Sequence, residues 1–599
     1  MLQQITDCDY HIIITPDRRA LLTEQELFKI TGKKCFLNVN VTTFTRFSNE
    51  IIKKNNFNNA KILTKATATC IIKKLLIENK EKLIAFKKSY NFNGTAGSIF
   101  ETITMFKSCR ILPDEIDTNT KSEPLNNKLK DIKLIYEQYE QYLKEEYTDS
   151  LNRLDVLNNL IKTTDYSNTH FYLIGFNNFT PQMHAIIESL IKYAKTVNVS
   201  ATASFKQNNK NLFLNHTYYN LESIANNLGI TPNKIEVKEN YPVVINAMAE
   251  NLLADFPANY RVSEQDFNIG IYKFSGIFSE CEFITKSILN NVIAGGYNFS
   301  DILIITPSIE DYKDVLTRAF NLHKVPYFID VNTKISENII IKNLIYLFSI
   351  INNNYEITDI LSYLKTFSLN NLEYFENYIT ESGLMGKILL SPLNNFAIYK
   401  KYEIYDFTEI YKILTEVLKL ADAVKGQFAV SEFSGILFGF LENIGFTDFV
   451  NGYFKKYIEL NNTNELKKCE QVYNKLKAGN EEINNLLGDF VCNFKTYFEL
   501  FSAIFENNLS IPPLVTNTVY IADSVNSFTE NKKLVYVVGA NDNLPKRLED
   551  LGIISDADIN LLSRKNKLQP TINFVNKLNK LILYEKLLTF KDKLYISYL

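Results

Sequence analysis

Carboxylates at the tip of a buried strand, a glycine-rich loop ending in lysine, and closely paired cysteines are groupings through which α/β chains handle phosphates and metals. The place to look first in this chain is residues 170–182, from His170 to Gln182. Phe171 to Ile174 read as a strand buried on both faces, and Gly175 breaks it. Thr180 and Pro181 then supply the N-cap and the first position of a helix. In a nucleotide-hydrolysing domain the tip of such a strand carries the carboxylates that hold Mg²⁺ and orient water. Here the tip reads Ile174-Gly175. The position for the chemistry is present and the charges are absent.

The other groupings are missing as well. No Gly-x-x-x-x-Gly-Lys-Ser/Thr loop, which would cradle phosphates on backbone N–H groups and a lysine, occurs anywhere. Seven cysteines, at 8, 35, 70, 109, 281, 469 and 492, include no Cys-x-x-Cys pair, and the five histidines are scattered. That argues against a zinc site and fits reduced thiols in a cytoplasmic protein. Asp523 and Asp542 follow strands at loop positions, and Asp542 suits an Asx turn within Gly539-Ala-Asn-Asp-Asn543.

The elements that must position any site alternate between strand and helix. Residues 11–15 and 36–41 read as short strands, and Thr42-Thr43 can cap a helix from Phe44 that carries Arg46. The helix from Thr180 runs to about Ala194, and residues 197–200 read as the next strand, which makes a βαβ unit of a parallel sheet. Residues 60–125 read as mainly helical with a break at 93–97. Over 128–147, Leu129, Ile132, Ile135, Tyr136, Tyr139, Tyr142, Leu143 and Tyr147 recur at helical spacing, an aromatic stripe that reads as core rather than a nucleic-acid platform. A polar stretch from Lys206 to about Gln265 follows, with one helix near 244–255. Strand signals return at 268–273, 302–306 and 325–330. A helical run fills 335–505, and strands recur at 518–522, 534–539 and 594–598, the last after a helix at 576–590.

The 599 residues suffice for several domains, and 46% apolar, 13% aromatic and 22% charged residues suit a globular chain. No apolar run approaches the roughly 20 residues of a membrane span, and the first residues lack the pattern of a secretion signal. Net charge is −2, but residues 46–130 hold 16 Lys and Arg against 8 Asp and Glu. That local excess reads either as solvated helix faces or as a footprint for phosphates.

The plan resembles the superfamily-1 DNA helicases, and more closely the B subunits of the bacterial AddAB-type helicase–nucleases, in their helicase-like portion. The matching stretches are Thr15-Pro-Asp17 with Glu24, residues 43–46, residues 128–136, residues 173–180, residues 297–302, residues 325–330, and residues 537–542 with Pro545. Their order covers nearly the whole chain. The resemblance implies an α/β fold of two RecA-like parallel-sheet domains, each interrupted by a helical insertion. The first domain is expected over 1–58 and 126–205 with its insertion at 59–125, and an irregular connector at 206–265. The second is expected over 266–334 and 510–599 with its insertion at 335–509.

The family processes DNA double-strand breaks for recombinational repair, with an A-subunit helicase–nuclease as heterodimer partner. It uses ATP, Mg²⁺ and an iron–sulfur cluster. This sequence departs from active members in several ways. The Asp-Glu metal pair is replaced by Ile174-Gly175, and Leu588-Thr-Phe590-Lys591 stands where motors place a transition-state arginine. The chain starts after the place of the phosphate-binding loop and stops where the nuclease follows. The expectation is a subunit without autonomous ATPase or nuclease activity, without a cofactor of its own, and without membrane contact. Single-stranded DNA would cross the top of both sheets, over Arg18, Thr43, Thr45 and Arg46, with Phe176 and Phe179 offered to bases. Relatives often carry Gln where Arg18 stands. Arg46 equally suits a pair with Glu50 at i,i+4, and both phenylalanines read first as core. Glu282 matches a carboxylate that meets the nucleotide sugar in active motors, and without a phosphate site it reads as a salt-bridge partner. The alternative is a scaffold that grips a motor subunit and no longer touches DNA.

Overall fold

The computed structural model describes residues 9–55, 60–203, 215–235, 243–252, 268–330, 333–393, 397–505, 508–509, 517–525, 532–562 and 568–599. Two wholly parallel sheets organise the mixed α/β chain. In the first, β1 (Tyr10–Ile14) is followed by β2 (Val39–Thr42) and helix α1 (Phe44–Lys54). After the helices α2 (Lys65–Glu78) and α3 (Glu123–Glu146) the chain returns as β3 (Tyr166–Leu173). Helix α4 (Pro181–Tyr193) then crosses over to β4 (Ala194–Val199). The strand order is β2-β1-β3-β4, with Ile13 opposite both Val41 and Tyr172. Thr180 caps α4 as its sequence requires, its side chain accepting the Met183 N–H, and Pro181 occupies the first turn.

The second sheet holds β5 (Ile269–Lys273), β6 (Ile302–Thr306), β7 (Tyr327–Ile329), β8 (Val519–Asp523), β9 (Lys532–Val537) and β10 (Phe590–Tyr598). Their order is β5-β10-β9-β6-β8-β7. Helix α5 (Ile277–Gly295) follows β5. Every residue of β6 is buried, with Ile302 and Ile304 in one core and Leu303 and Ile305 in the core on the opposite face. That alternation is why a continuous apolar run suits an inner strand of a parallel sheet.

The two helical segments that interrupt the sheets share one hydrophobic core, which runs through residues 63–143, 335–509 and 554–568. It includes α6 (Thr408–Ala423), α7 (Val430–Asn443), α8 (Phe446–Glu459) and α9 (Phe494–Ile504). Across the join, Lys73 Nζ of α2 donates to Glu499 of α9 at 2.6 Å and to the Asn91 carbonyl. The Tyr142 hydroxyl donates to the Leu486 carbonyl at 2.8 Å, and Lys128 Nζ to that of Ile553 at 2.8 Å. The stripe on α3 is core as expected, with Leu129, Ile132, Ile135, Tyr136, Tyr139 and Leu143 buried in this cluster.

Several expectations are corrected. Residues 93–97 begin the helix Asn93–Ser108 rather than breaking one, and the break lies upstream at 79–92. Ala96, Ile99, Ile103 and Phe106 are buried at helical spacing, and their packing outweighs the weak propensity of Gly94 and Gly97. The stretch read as irregular holds a second helix, His216–Asn227, as well as Val243–Asn251. The former is fixed from outside: its Thr217 hydroxyl donates to the Asn177 carbonyl at 2.6 Å and His216 packs on the Phe574 ring. The second strand starts at Val39, because Leu37 is 96% exposed and Phe36 turns against Phe28. The last helix, α10 (Ile572–Leu587), ends before Leu588, and buried Phe590 already belongs to β10. Among the described residues no single helix is long and apolar enough to cross a membrane.

Candidate nucleic-acid interface

The C-terminal edge of a parallel sheet is where loops converge and ligands bind. At that edge of the first sheet, α1 starts directly after β2. Thr43 takes the extended N-cap conformation and its Oγ1 accepts the Arg46 N–H at 3.3 Å. The Thr43 side chain is therefore buried and committed to the cap, whereas Thr45 and Arg46 are exposed on the first turn. Among the described residues Arg46 forms no ion pair with Glu50, which instead accepts a hydrogen bond from Asn40 Nδ2 at 2.9 Å. Lys53, seven residues on and on the same face as Arg46, is exposed too, as is its neighbour Lys54.

The loop after β3 lies against this turn. Phe176 meets Phe44 edge-on, with ring centroids 5.5 Å apart, and Phe179 at 5.0 Å. Phe179 is 2% exposed and belongs to the core beneath the sheet, with Phe176 half-buried beside it. The structure thus gathers Thr43, Thr45, Arg46, Phe176 and Phe179 at one edge, but turns the aromatics inward. Arg18 lies on the 3₁₀ turn Asp17–Arg19 after β1, and its side chain falls outside the described residues.

The basic excess of residues 46–130 is partly absorbed by acids from elsewhere in the chain. Lys107 pairs with Glu140 and Asp149 at 2.6 and 2.5 Å, Lys73 with Glu499, and Lys128 with Asp558 at 3.8 Å. Arg46, Lys53, Lys54 and Lys61 remain exposed.

Beside this edge lies the junction between the sheets. Gly175 has φ +82°, and a Cβ built on it would come within 2.6 Å of Arg19 Cδ. The Arg19 side chain therefore lies where a side chain from position 175 would point. Gly175→Ala is expected to lose about 1–3 kcal/mol, from left-handed backbone strain and displacement of Arg19. The measurement is thermal unfolding against wild type, and an unchanged melting temperature would show that Arg19 is not held there.

From the second sheet, Glu585 in the last turn of α10 accepts hydrogen bonds from Asn177 Nδ2 at 2.8 Å and Thr202 Oγ1 at 2.5 Å. Burial pushes the Glu585 carboxyl above its usual range, opposed by those two hydrogen bonds and by the charge of Arg19. The next residue, Lys586, is buried and donates to the Asp523 carbonyl at 2.8 Å, at the end of β8. Adjacent residues of one helical turn thus bind the first sheet's loops and the second sheet's tip.

Sequence reasoning missed Arg19, Glu585 and the most buried carboxylate of the second sheet, Glu280. Glu280 on α5 accepts from the Gly539 N–H at 2.9 Å, the Tyr312 hydroxyl at 2.8 Å and the Ser597 hydroxyl at 2.5 Å. Burial and this carboxylate together push the Tyr312 phenol up. Glu282 is the salt-bridge residue, with Lys286 at 3.0 Å and His323 at 3.1 Å, which hold its carboxyl below the usual range. Among the described residues the Asx contact is made by Asp523, whose Oδ1 accepts the Val525 N–H at 2.7 Å, and not by exposed Asp542; the neighbouring Asn541 side chain accepts the Leu599 N–H at 3.1 Å. Among the described residues no three His, Cys, Asp or Glu side chains converge as a metal site would need.

Comparison with known proteins gives these sites a context. A family model described as ADDB, N-terminal matches residues 2–251. The chain is 23% identical over 589 residues to a Clostridium botulinum (strain Hall) protein named as the B subunit of an ATP-dependent helicase/deoxyribonuclease, covering 92% of this chain and 51% of that one. Proteins of the same name from Alkaliphilus oremlandii and Lachnoclostridium phytofermentans are 24% and 25% identical over 98% of this chain and 54% of theirs. The chain spans about half the length of the curated relatives it matches. Across nearly all of its own length the chain is similar to these B subunits of ATP-dependent helicase/deoxyribonucleases, and its residues 2–251 match the ADDB, N-terminal family model.

Proposed function

We propose that the chain is a helicase-like part of a subunit that works with a companion A subunit on broken double-stranded DNA in recombinational repair. It holds single-stranded DNA and does not hydrolyse ATP. In this reading the two parallel sheets are RecA-like domains, formed by residues 1–58 with 126–205 and by 266–334 with 510–599, and 59–125 and 335–509 are their insertions. The observation that carries the reading is the β3 tip. Position 175 has no side chain, Arg19 lies over it, and Glu585 reaches across from the second sheet to Asn177 and Thr202. A magnesium nucleotide needs carboxylate oxygens at that tip, which Ile174 and Gly175 do not supply, so the residues present do not fit one.

DNA affinity draws on the edge beside it. Arg46 and Lys53 present charge on one face of α1, and the Thr45 hydroxyl and first-turn N–H groups suit a phosphate. Thr43, Phe176 and Phe179 support that turn from beneath, and Arg18 stands at the neighbouring strand end. The test is fluorescence anisotropy of a labelled single-stranded oligonucleotide at low and moderate salt, with phosphate release from ATP followed in the same samples. Binding should weaken steeply with salt and fall about three- to tenfold in Arg46→Ala, with phosphate release at the level of buffer. DNA-stimulated phosphate release would sink the silent-subunit reading.

The scaffold alternative draws on a specific observation, the single core shared by both helical segments. Absence of any DNA binding at micromolar protein would favour it.

A further inference from the structure

The helical segment that interrupts the second sheet carries a groove that the DNA-binding edge does not use. It lies between α6, residues 366–369, and the corner where α7 and α8 meet at 60° around Gly445. Its volume is about 650 Å³, enough for several side chains. The floor is aromatic: Phe449 packs against Phe367 with ring centroids 5.0 Å apart and against Tyr453 at 5.3 Å. These rings are held in place, since the Tyr453 hydroxyl donates to the Thr366 carbonyl at 2.9 Å. Behind them, Val430, Phe433, Leu437, Phe440, Phe446 and Val450 anchor α7 and α8 in the core.

The rim is acidic. Glu409, Glu416, Glu442 and Asp448 line it against Lys412 and Lys456. Glu416 is engaged by Lys419 at 2.6 Å, and Lys456 sits over the Tyr453 ring at 5.6 Å. Among the described residues Glu409, Glu442 and Asp448 form no ion pair. Such a rim repels nucleic-acid phosphate and anionic lipid alike, while an apolar floor alone would not select by charge. A peptide segment satisfies both when an apolar or aromatic side chain fills the floor and lysine or arginine flanks it.

We propose that this groove docks a segment of the companion subunit in which lysine or arginine flanks an apolar anchor. The assignment rests on the chain's working as one subunit of a complex and is independent of whether it binds DNA. Gly452 gives a second handle. It is exposed on the groove's wall and a Cβ there meets nothing within 4 Å, so Gly452→Trp fills the groove without changing charge.

The test uses the full chain, its Glu409→Lys/Glu442→Lys/Asp448→Lys variant and Gly452→Trp, all checked for wild-type melting. The first probe is a short fluorescein-labelled peptide of alternating arginine and leucine, with a glutamate–leucine peptide as control. The arginine peptide should bind wild type, and both variants should weaken it about tenfold or more. Equal binding to all three proteins, binding of the control peptide, or no binding at high micromolar protein overturns the groove as a cationic-peptide site. The second probe is the purified A subunit from the same organism, which should lose affinity for the same two variants. Undiminished affinity overturns the assignment of the groove to the companion. If the A subunit ignores wild type while the arginine peptide binds, the complex reading fails, the companion assignment falls with it, and the groove stands.

Discussion

Replacing Lys73 by alanine will destabilise the helical body more than any surface substitution on it, by about 3–5 kcal/mol. The Lys73 side chain is 1% exposed and that of Glu499 19%. Burial draws the ammonium's pKa down, and only Glu499 among its near partners strongly favours its charge. Removing the lysine takes its cation from the largely buried Glu499 carboxylate and frees the Asn91 carbonyl, so a central polar tie across the shared core is lost. The expected readout is a fall of roughly 5–10 °C in the transition of the helical body, with early proteolytic cleavage near residues 79–92. Lys73→Met with Glu499→Leu should recover most of the loss, since an apolar pair of similar volume avoids the desolvation penalty. A change in melting below about 1 °C for Lys73→Ala would mean that the pair carries no weight.

Glu280→Ala is expected to cost a similar amount, about 3–5 kcal/mol, through a different mechanism. Three donors lose their carboxylate acceptor in a buried site, the Gly539 N–H, the Tyr312 hydroxyl and the Ser597 hydroxyl, the last of which can still turn to the Val537 carbonyl at 3.4 Å. Each stranded donor costs about 1–3 kcal/mol, less than additively because the site relaxes. These donors come from the loop after β9, from the helix Ile309–Leu322 and from β10, so the loss splays the upper edge of the second sheet. Glu280→Gln should fall between the two, because its one carbonyl oxygen can serve only part of the set. The check is denaturation followed by circular dichroism at neutral pH, read as a ranking of wild type, Gln and Ala. Equal stability of Gln and Ala would refute the three-donor account.

How much of this is legible in the sequence depends on how local the cause is. Thr180 and Pro181 announce the start of α4 because capping and first-turn chemistry act within three residues. The apolar run of β6 is readable because burial on both faces leaves no polar position in it. The helix Asn93–Ser108 is hidden at its start because glycines weaken the local signal while Ala96 and Ile99 find their packing partners across the core. Helix His216–Asn227 escapes a sequence reading because its anchors, Asn177 and Phe574, lie far along the chain. Glu280 and Glu282 are two residues apart on one helix, and only the packed structure decides which points at Gly539 and which at solvent. Phe176 and Phe179 are readable as core, since a loop rich in Asn needs an apolar foot to hold it.

The shared helical core also has a consequence for populations. A translocating machine needs two arrangements of its sheets close enough in energy to be visited in each cycle. Parting the helical segments here would break the Lys73–Glu499 pair and expose the apolar surface around it, and parting the sheets would break the Glu585 bridge. Because both charges of the pair regain water on opening, it is the newly exposed apolar surface, at about 25 cal/mol per Å², that keeps an opened form rare. Backbone amides of α2 and α9 should then exchange with solvent together, at one slow rate, although some 420 residues of sequence separate them. On the function proposed above, a chain tied together in this way would serve as a strut between its neighbours, transmitting force instead of generating it.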